Sequence, residues 1–186
     1  MLKNTRKFIT EFFKNGSRVG SITPSSSFLA EKMLRNIDFK QDSVIMEYGP
    51  GTGNFTKKIM EKMTPNSRLY IFELNPDFIE TLRNNINDPR VKIICDSASN
   101  TQKYLTEDGI EEVDYIVSSL PLSLLPSEVR DDIVIQSHKN LKKGGIMTQF
   151  QYSQQCKKLF KNSFDRVSTD FTPFNFPPAF VYVCVK

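Results

Sequence analysis

An α/β fold, with a mostly parallel sheet covered by helices on both faces, is what this sequence predicts, and three observations carry it. Short apolar runs alternate with helix-length segments of mixed polarity between residues 44 and 151, the pattern of a sheet buried on both sides. The first of these runs ends in a glycine-rich turn that opens directly into a helix. The last part of the chain changes rhythm to two extended runs separated by Pro177-Pro178. The expected whole is a seven-stranded, mostly parallel sheet with an antiparallel C-terminal hairpin, in a single domain over residues 1–186.

Each element has its own signal. Residues 1–36 read as an amphipathic helix and a cap segment. Over 3–14, Phe8, Ile9, Phe12 and Phe13 fall on one helical face and Lys3, Arg6, Lys7 and Lys14 on the other. Asn15-Gly16-Ser17 stops that helix, and Thr23-Pro24-Ser25-Ser26 caps a second one that runs to about Asn36. Val44-Ile45-Met46 is a buried strand, followed by the glycine turn and a helix to about Met63. Leu69–Phe72 is the next strand, and Pro76 starts a helix. Val91–Ile94 is the third strand, a helix covers 99–106, and Val113–Val117 is the fourth strand. A helix from Ser127 to Asn140 is expected to close at Lys142-Lys143-Gly144-Gly145, read as a C-cap with cations placed for the helix dipole. Ile146–Gln151 is the fifth strand. A short helix near 153–161 then precedes the extended runs 164–171 and 179–185.

Composition narrows the function. The 186 residues carry 25 Lys and Arg against 21 Asp and Glu, a net charge of +4. That excess sits at one end, because residues 1–20 hold five cations against Glu11 alone. A basic end suits an anionic surface, membrane or nucleic acid. No stretch approaches the ~18 apolar residues of a membrane span, and the first residues lack the apolar block of a secretory signal, so export is not expected. Cys95, Cys156 and Cys184 lack ligand spacing and read as reduced thiols. The lone His138 builds no metal site, so no metal is expected. The expected location is cytoplasmic, peripheral on the inner membrane face.

The chemistry concentrates in four segments. In Val44-Ile45-Met46-Glu47-Tyr48-Gly49-Pro50-Gly51-Thr52-Gly53, a strand ends in a carboxylate and three glycines follow at alternate positions. Gly49 and Gly51 let the backbone turn tightly and approach a ligand, and Gly53 lets the next helix start close against the sheet. Glu73 ends the second strand about 20 residues beyond the turn, where a carboxylate can accept from both ribose hydroxyls of an adenosine; Leu74 follows it. Glu47 separates two cofactor classes. A pyrophosphate at the turn would be repelled by a carboxylate beside it, whereas the ammonium of an amino-acid moiety would be attracted. The pattern therefore favours S-adenosylmethionine over a dinucleotide. Asp96-Ser97-Ala98 follows the third strand, placed to meet the adenine amino group. Ser118-Ser119-Leu120-Pro121-Leu122 follows the fourth, where the ligand crevice of such sheets lies.

At these residues the chain resembles class I methyltransferases with a Rossmann-like fold, and more particularly bacterial phospholipid N-methyltransferases that act on phosphatidylethanolamine. The resemblance runs from Phe12 through Arg18-Val19-Gly20-Ser21-Ile22-Thr23-Pro24-Ser25-Ser26 and Glu47–Thr56. It continues through Ser118–Leu122 and Gln149-Phe150-Gln151-Tyr152 to Asn175-Phe176-Pro177-Pro178-Ala179-Phe180-Val181. It implies that Glu47, Tyr48, Gly49, Gly51 and Gly53 hold the methionine end of S-adenosylmethionine. Glu73 and Leu74 would hold the ribose, Asp96, Ser97 and Ala98 the adenine, and Ser118, Leu120 and Pro121 would border the transferred methyl. The related ribosomal RNA adenine dimethylases carry N-L-P-Y where this chain has Ser119-Leu120-Pro121-Leu122. An Asn and an aromatic that suit a planar base amine are absent from this segment, and a single domain without their extra helical one is the expectation.

The expected reaction is in-line attack of an amine on a sulfonium methyl, with the protein supplying proximity and alignment. The residues name no general base. Tyr152, at the end of the fifth strand, is a candidate to position the amine or a packing tyrosine. Ser25 and Ser26 are candidates to meet a lipid phosphate or plain caps. The expected partners are a phospholipid substrate and an anionic membrane surface met by residues 1–14, with no nucleic acid. The alternatives are an rRNA adenine or small-molecule N-methyltransferase, and a silent cofactor-fold protein that binds a partner through its basic helix.

Overall fold

The computed structural model describes residues 27–173 and 175–186. The amphipathic segment 3–14, its stop at 15–17 and the cap at 23–26, with Ser25 and Ser26, lie outside the described residues.

Seven strands form one sheet: β1 (Val44–Tyr48), β2 (Arg68–Phe72), β3 (Val91–Ile94), β4 (Val113–Ser118), β5 (Leu141–Gln151), β6 (Arg166–Thr172) and β7 (Ala179–Val185). Their order is β3-β2-β1-β4-β5-β7-β6. The pairs among β1 to β5 are parallel, and β7 runs antiparallel between β5 and β6. This is the predicted architecture. From β1 the chain first winds outward to β3 and then returns to β4 on the other side. That reversal leaves a crevice beyond the carboxyl ends of β1 and β4.

Side chains alternate across the pleat into two cores. Ile45, Leu69, Ile71 and Val117 face one layer, with α1 (Ser27–Leu34), α2 (Asn54–Lys62) and α3 (Pro76–Asn85). Met46, Tyr48, Tyr70, Phe72 and Ile116 face the other, with α4 (Thr101–Glu107), α5 (Ser127–Asn140) and α6 (Lys157–Ser163). Both faces of the central strands are thus removed from water, which is why these runs are apolar without alternation. Asn75 caps α3 by accepting from Asp77 N at 2.9 Å, with Pro76 in the first turn. His138 on α5 packs edge-on against Phe164 at 5.4 Å.

Two expectations are corrected. Lys142–Gly145 is not a helix cap: α5 ends at Asn140, and Leu141 is already extended and paired with Val113. The register then slips, so that Tyr115 pairs with Ile146. Gly144, at φ +78, turns the extra residues out, donates to Lys186 O at 2.6 Å, and leaves Lys142 to pair with Asp114 rather than with a helix dipole. The short helix expected near 153–161 starts at Lys157 and ends at Ser163, because 152–156 turns sharply after β5.

Candidate active site

The carboxyl ends of four parallel strands, β1 to β4, are tied together around the glycine turn. Gly49 N donates to Phe72 O at 2.9 Å, Ser119 N to Tyr48 O at 2.9 Å and Glu73 N to Ile94 O at 3.1 Å. Gly49, Gly51 and Gly53 all have positive φ, at 64°, 58° and 87°, the region that disfavours side chains. Their surroundings differ. A Cβ on Gly49 would strike Leu120 Cδ2 at 2.8 Å, whereas one on Gly51 would meet nothing nearer than Phe78 at 4.0 Å. The space over Gly51 is therefore open, a cradle that a side chain would fill. At Gly53, the N-cap of α2, the close neighbour is Leu82 of α3 at 3.1 Å. Its role is helix-to-helix contact rather than the predicted contact with the sheet.

Glu47 is fully buried. Its Oε2 accepts from Thr56 Oγ1 at 2.7 Å, and its Oε1 has no hydrogen-bond partner among the described residues. Burial pushes its carboxyl up to about 8; the neighbouring Glu73 carboxyl adds to this and the Thr56 hydroxyl opposes it. A buried carboxyl with an orphaned oxygen is costly unless a ligand supplies the missing partner. An ammonium group does so, and in doing so favours the carboxylate. Glu73, also buried, is held in place differently. Its Oε1 accepts from Leu74 N at 2.7 Å and Asn75 N at 2.8 Å, and its Oε2 from Gly51 N at 3.3 Å. Burial raises its pKa, and these backbone donors work against the rise.

A narrow cleft at the strand ends brings together Gly49, Glu73, Leu74, Asp96, Ser97, Ala98 and Leu120. Asp96 is fixed by Ser97 N at 2.8 Å, Asn100 Nδ2 at 2.9 Å and Tyr104 OH at 2.9 Å. Two predicted residues turn away. The Tyr48 ring lies in the core, edge-on to Phe72 at 5.9 Å, because the pleat sends it opposite to Glu47; only its backbone shapes the turn. Ser118 is fully buried beneath the segment it starts. Tyr152 lies half-exposed beyond β5 with its ring against Phe150 at 5.7 Å, outside the cleft. Thr56 and Asn75, which orient the two glutamates, escaped the sequence reading. A hydroxyl on the inward face of α2 was the available signal for the first; the second acts through its backbone N–H, which no side chain announces.

Known proteins agree with this geometry. Residues 45–145 match the family model described as a methyltransferase domain. The ornithine lipid N-methyltransferase of Singulisphaera acidiphila is 31% identical over 185 residues, 98% of this chain and 96% of that protein. The ribosomal RNA small subunit methyltransferase H of Christiangramia forsetii is 26% identical over 95 residues, 51% of this chain but only 30% of that one. Among solved structures, a Burkholderia thailandensis 1,6-didemethyltoxoflavin-N1-methyltransferase with bound S-adenosylhomocysteine superposes with a TM-score of 0.71 at 14% identity, covering 97% of this chain and 86% of that one. The glycine turn, the paired glutamates at the strand ends and these matches place the chain in the methyltransferase-domain family.

Proposed function

We propose that this chain transfers a methyl group from S-adenosylmethionine to the primary amine of a membrane-lipid headgroup, of the phosphatidylethanolamine or ornithine-lipid type, working peripherally at the cytoplasmic face. The observation that carries the lipid reading is a rim of exposed apolar side chains at the carboxyl edge of the sheet. Leu124 follows β4, Tyr152 follows β5, Phe171 is the penultimate residue of β6, and Phe176, 80% exposed, lies between β6 and β7. Large apolar groups exposed along one edge of a sheet mark contact with apolar material. The likeness to an ornithine lipid N-methyltransferase along nearly the whole chain supports the same reading. Among the described residues no helix is long and apolar enough to cross a membrane.

In this reading the buried Glu47 faces the methionine ammonium and the open backbone at Gly51 accepts the methionine end, with Gly49 making the tight turn under Leu120 and Gly53 starting the supporting helix. Glu73 meets the ribose, and Asp96, Ser97 and Ala98 the adenine. The cofactor supplies a methyl already activated on a sulfonium sulfur. Leu120 and Pro121, with Ser118 beneath them, form the wall beside that methyl, and Tyr152 meets the incoming headgroup. With the cofactor bound, the nitrogen lone pair would form the N–C bond as the S–C bond breaks, leaving a methylated ammonium that passes one of its own protons to water. An alkyl amine attacks only when neutral, and an apolar, water-poor wall favours the neutral form.

Incubation with methyl-labelled S-adenosylmethionine and separate pools of phosphatidylethanolamine vesicles, ornithine lipid and ribosomal RNA tests this directly. Label should partition with the lipid extract. Label found only in the RNA would replace the lipid reading with the nucleic-acid one suggested by the half-chain likeness to ribosomal RNA methyltransferases.

Residues 1–14 carry the second part of the proposal, docking on anionic membrane. Phe8, Ile9, Phe12 and Phe13 would enter the headgroup boundary while Lys3, Arg6, Lys7 and Lys14 meet lipid phosphates. Each cation near such a surface is worth about 1 kcal/mol, so binding to anionic vesicles should weaken as salt rises. It should weaken again in a folded Phe12→Ala, Phe13→Ala double variant. A double variant that sediments with the vesicles like the parent would remove the docking role.

A further inference from the structure

Behind the cleft wall, two long amides are buried where apolar side chains are expected. Gln149 and Gln151 sit two residues apart on β5, on one face of the strand, and are 0% and 2% exposed. Both reach the same atom. Gln149 Nε2 donates to Leu120 O at 3.0 Å and Gln151 Nε2 donates to it at 2.9 Å. The second N–H of Gln149 goes to Phe150 O at 2.6 Å, so two carbonyl partners identify that end of the amide as nitrogen. The Gln151 carbonyl accepts from Ser123 N at 3.4 Å, and one side chain thereby spans the turn from Leu120 to Ser123. Leu120 in turn sits against the backbone of Gly49.

Leu120 O also accepts from Leu122 N at 2.8 Å, so three donors converge on the two lone pairs of one carbonyl oxygen. We propose that Gln149 and Gln151 are positioning residues for the methyl transfer. They hold the Ser118–Leu122 segment as a fixed wall, and together with the Leu122 N–H they deny the Leu120 carbonyl to the N–H groups of the substrate. The denial has a chemical consequence for an alkyl amine. An acceptor aimed at the nitrogen would favour the ammonium form, which has no lone pair to attack with; a saturated carbonyl does not. Fixing the wall holds the line between nitrogen, methyl and sulfur, whose loss by about 1 Å costs on the order of 100-fold in rate. The clamp rests on the hydrogen bonds alone, whereas its effect on turnover rests on the lipid-amine reading above.

The volume-conserving variants Gln149→Met, Gln151→Met and the double variant, each in the full chain, test the proposal. Hydrogen exchange of the segment 118–125 should accelerate in Gln151→Met, since Ser123 N–H loses its acceptor. Turnover of phosphatidylethanolamine in mixed micelles should fall about 10-fold in each single variant and about 100-fold in the double. KM for the lipid and the calorimetric Kd for S-adenosylmethionine should stay within about twofold of the parent, since these side chains touch neither the glycine turn nor Glu73. A double variant with parental turnover overturns the proposal. So does a loss of turnover that tracks cofactor affinity and folded fraction together, which marks a merely structural role. If the double variant does not fold, the singles decide on the same criteria. Unchanged exchange in Gln151→Met overturns the clamp whatever the substrate, while a parent that labels no lipid overturns only the substrate reading.

Discussion

Replacing Glu47 with Gln is expected to weaken S-adenosylmethionine binding by about 10–150-fold while making the cofactor-free protein more heat-stable above neutral pH. The first effect follows from the loss of a charge-assisted hydrogen bond worth about 1.5–3 kcal/mol, at about 1.4 kcal/mol per tenfold. The second follows from burial. Glu47 is wholly enclosed with one oxygen unpartnered, and its carboxyl is pushed up to about 8 from an ordinary value of 4.5. Because the folded value lies above the unfolded one, the stabilising contribution is fully present below about pH 4.5 and is lost as pH rises through about 8. Thermal melts of the cofactor-free parent should therefore fall across that window, and the fall should shrink in Glu47→Gln, which has nothing to ionise there. Binding should carry the complementary signature. At pH 7 the parent carboxyl is mostly protonated, and an arriving ammonium favours its ionised form, so binding releases a proton. Calorimetry in two buffers of different ionisation enthalpy reads that release, and the Gln variant should lack it. A parent whose melting is flat between pH 5 and 8, or a Gln variant with parental affinity, would show that Glu47 serves the core and not the cofactor.

How far the sequence carried this reading depends on how local each determinant is. The β1–turn–α2 unit was legible because Gly49, Gly51 and Gly53 need positive φ, a demand written in three residues. Helix α5 begins at Ser127 and ends at Asn140 as read from sequence, since Pro126 bounds its start and its register is continuous. Lys142–Gly145 was misread because two cations before two glycines have the composition of a helix end. What makes them a bulge is the partner Val113 and the distant Lys186. The resemblance sets Tyr48 beside Glu47 in the site, yet adjacent strand residues face opposite layers and its ring lies in the core. Gln149 and Gln151 matched the family pattern, but their role stayed hidden. Alternating polar residues in a strand read as solvent-facing, and these instead find a backbone carbonyl 29 and 31 residues away. Nothing in the strand itself announces that partner.

The glycine turn allows one prediction with a built-in control. Gly51 and Gly109 share the left-handed conformation, at φ +58 and +68, and a Cβ on either meets no protein atom closer than 4.0 Å at Gly51 and none within 4 Å at Gly109. Substitution with Val should therefore destabilise both variants by a similar amount, from the same backbone strain of about 1–2 kcal/mol or more for a β-branched residue. They differ in what occupies the space beyond. Gly109 closes the turn after α4, where its N–H donates to Thr106 O at 3.1 Å, far from the strand ends. Gly51 faces the open cradle, and its N–H donates to Glu73 Oε2 at 3.3 Å. A Val there both fills ligand space and shifts the donor that holds Glu73. Forcing bulk into a fitted site costs about 1–3 kcal/mol, so Gly51→Val should lose about 5–150-fold in S-adenosylmethionine affinity. Gly109→Val should bind like the parent once its folded fraction is taken into account. Thermal melts establish that the two substitutions are matched in stability, and calorimetry with S-adenosylmethionine then separates them. Equal affinity in the two variants, whether both bind or both fail, would mean that the space over Gly51 is not where the cofactor lies.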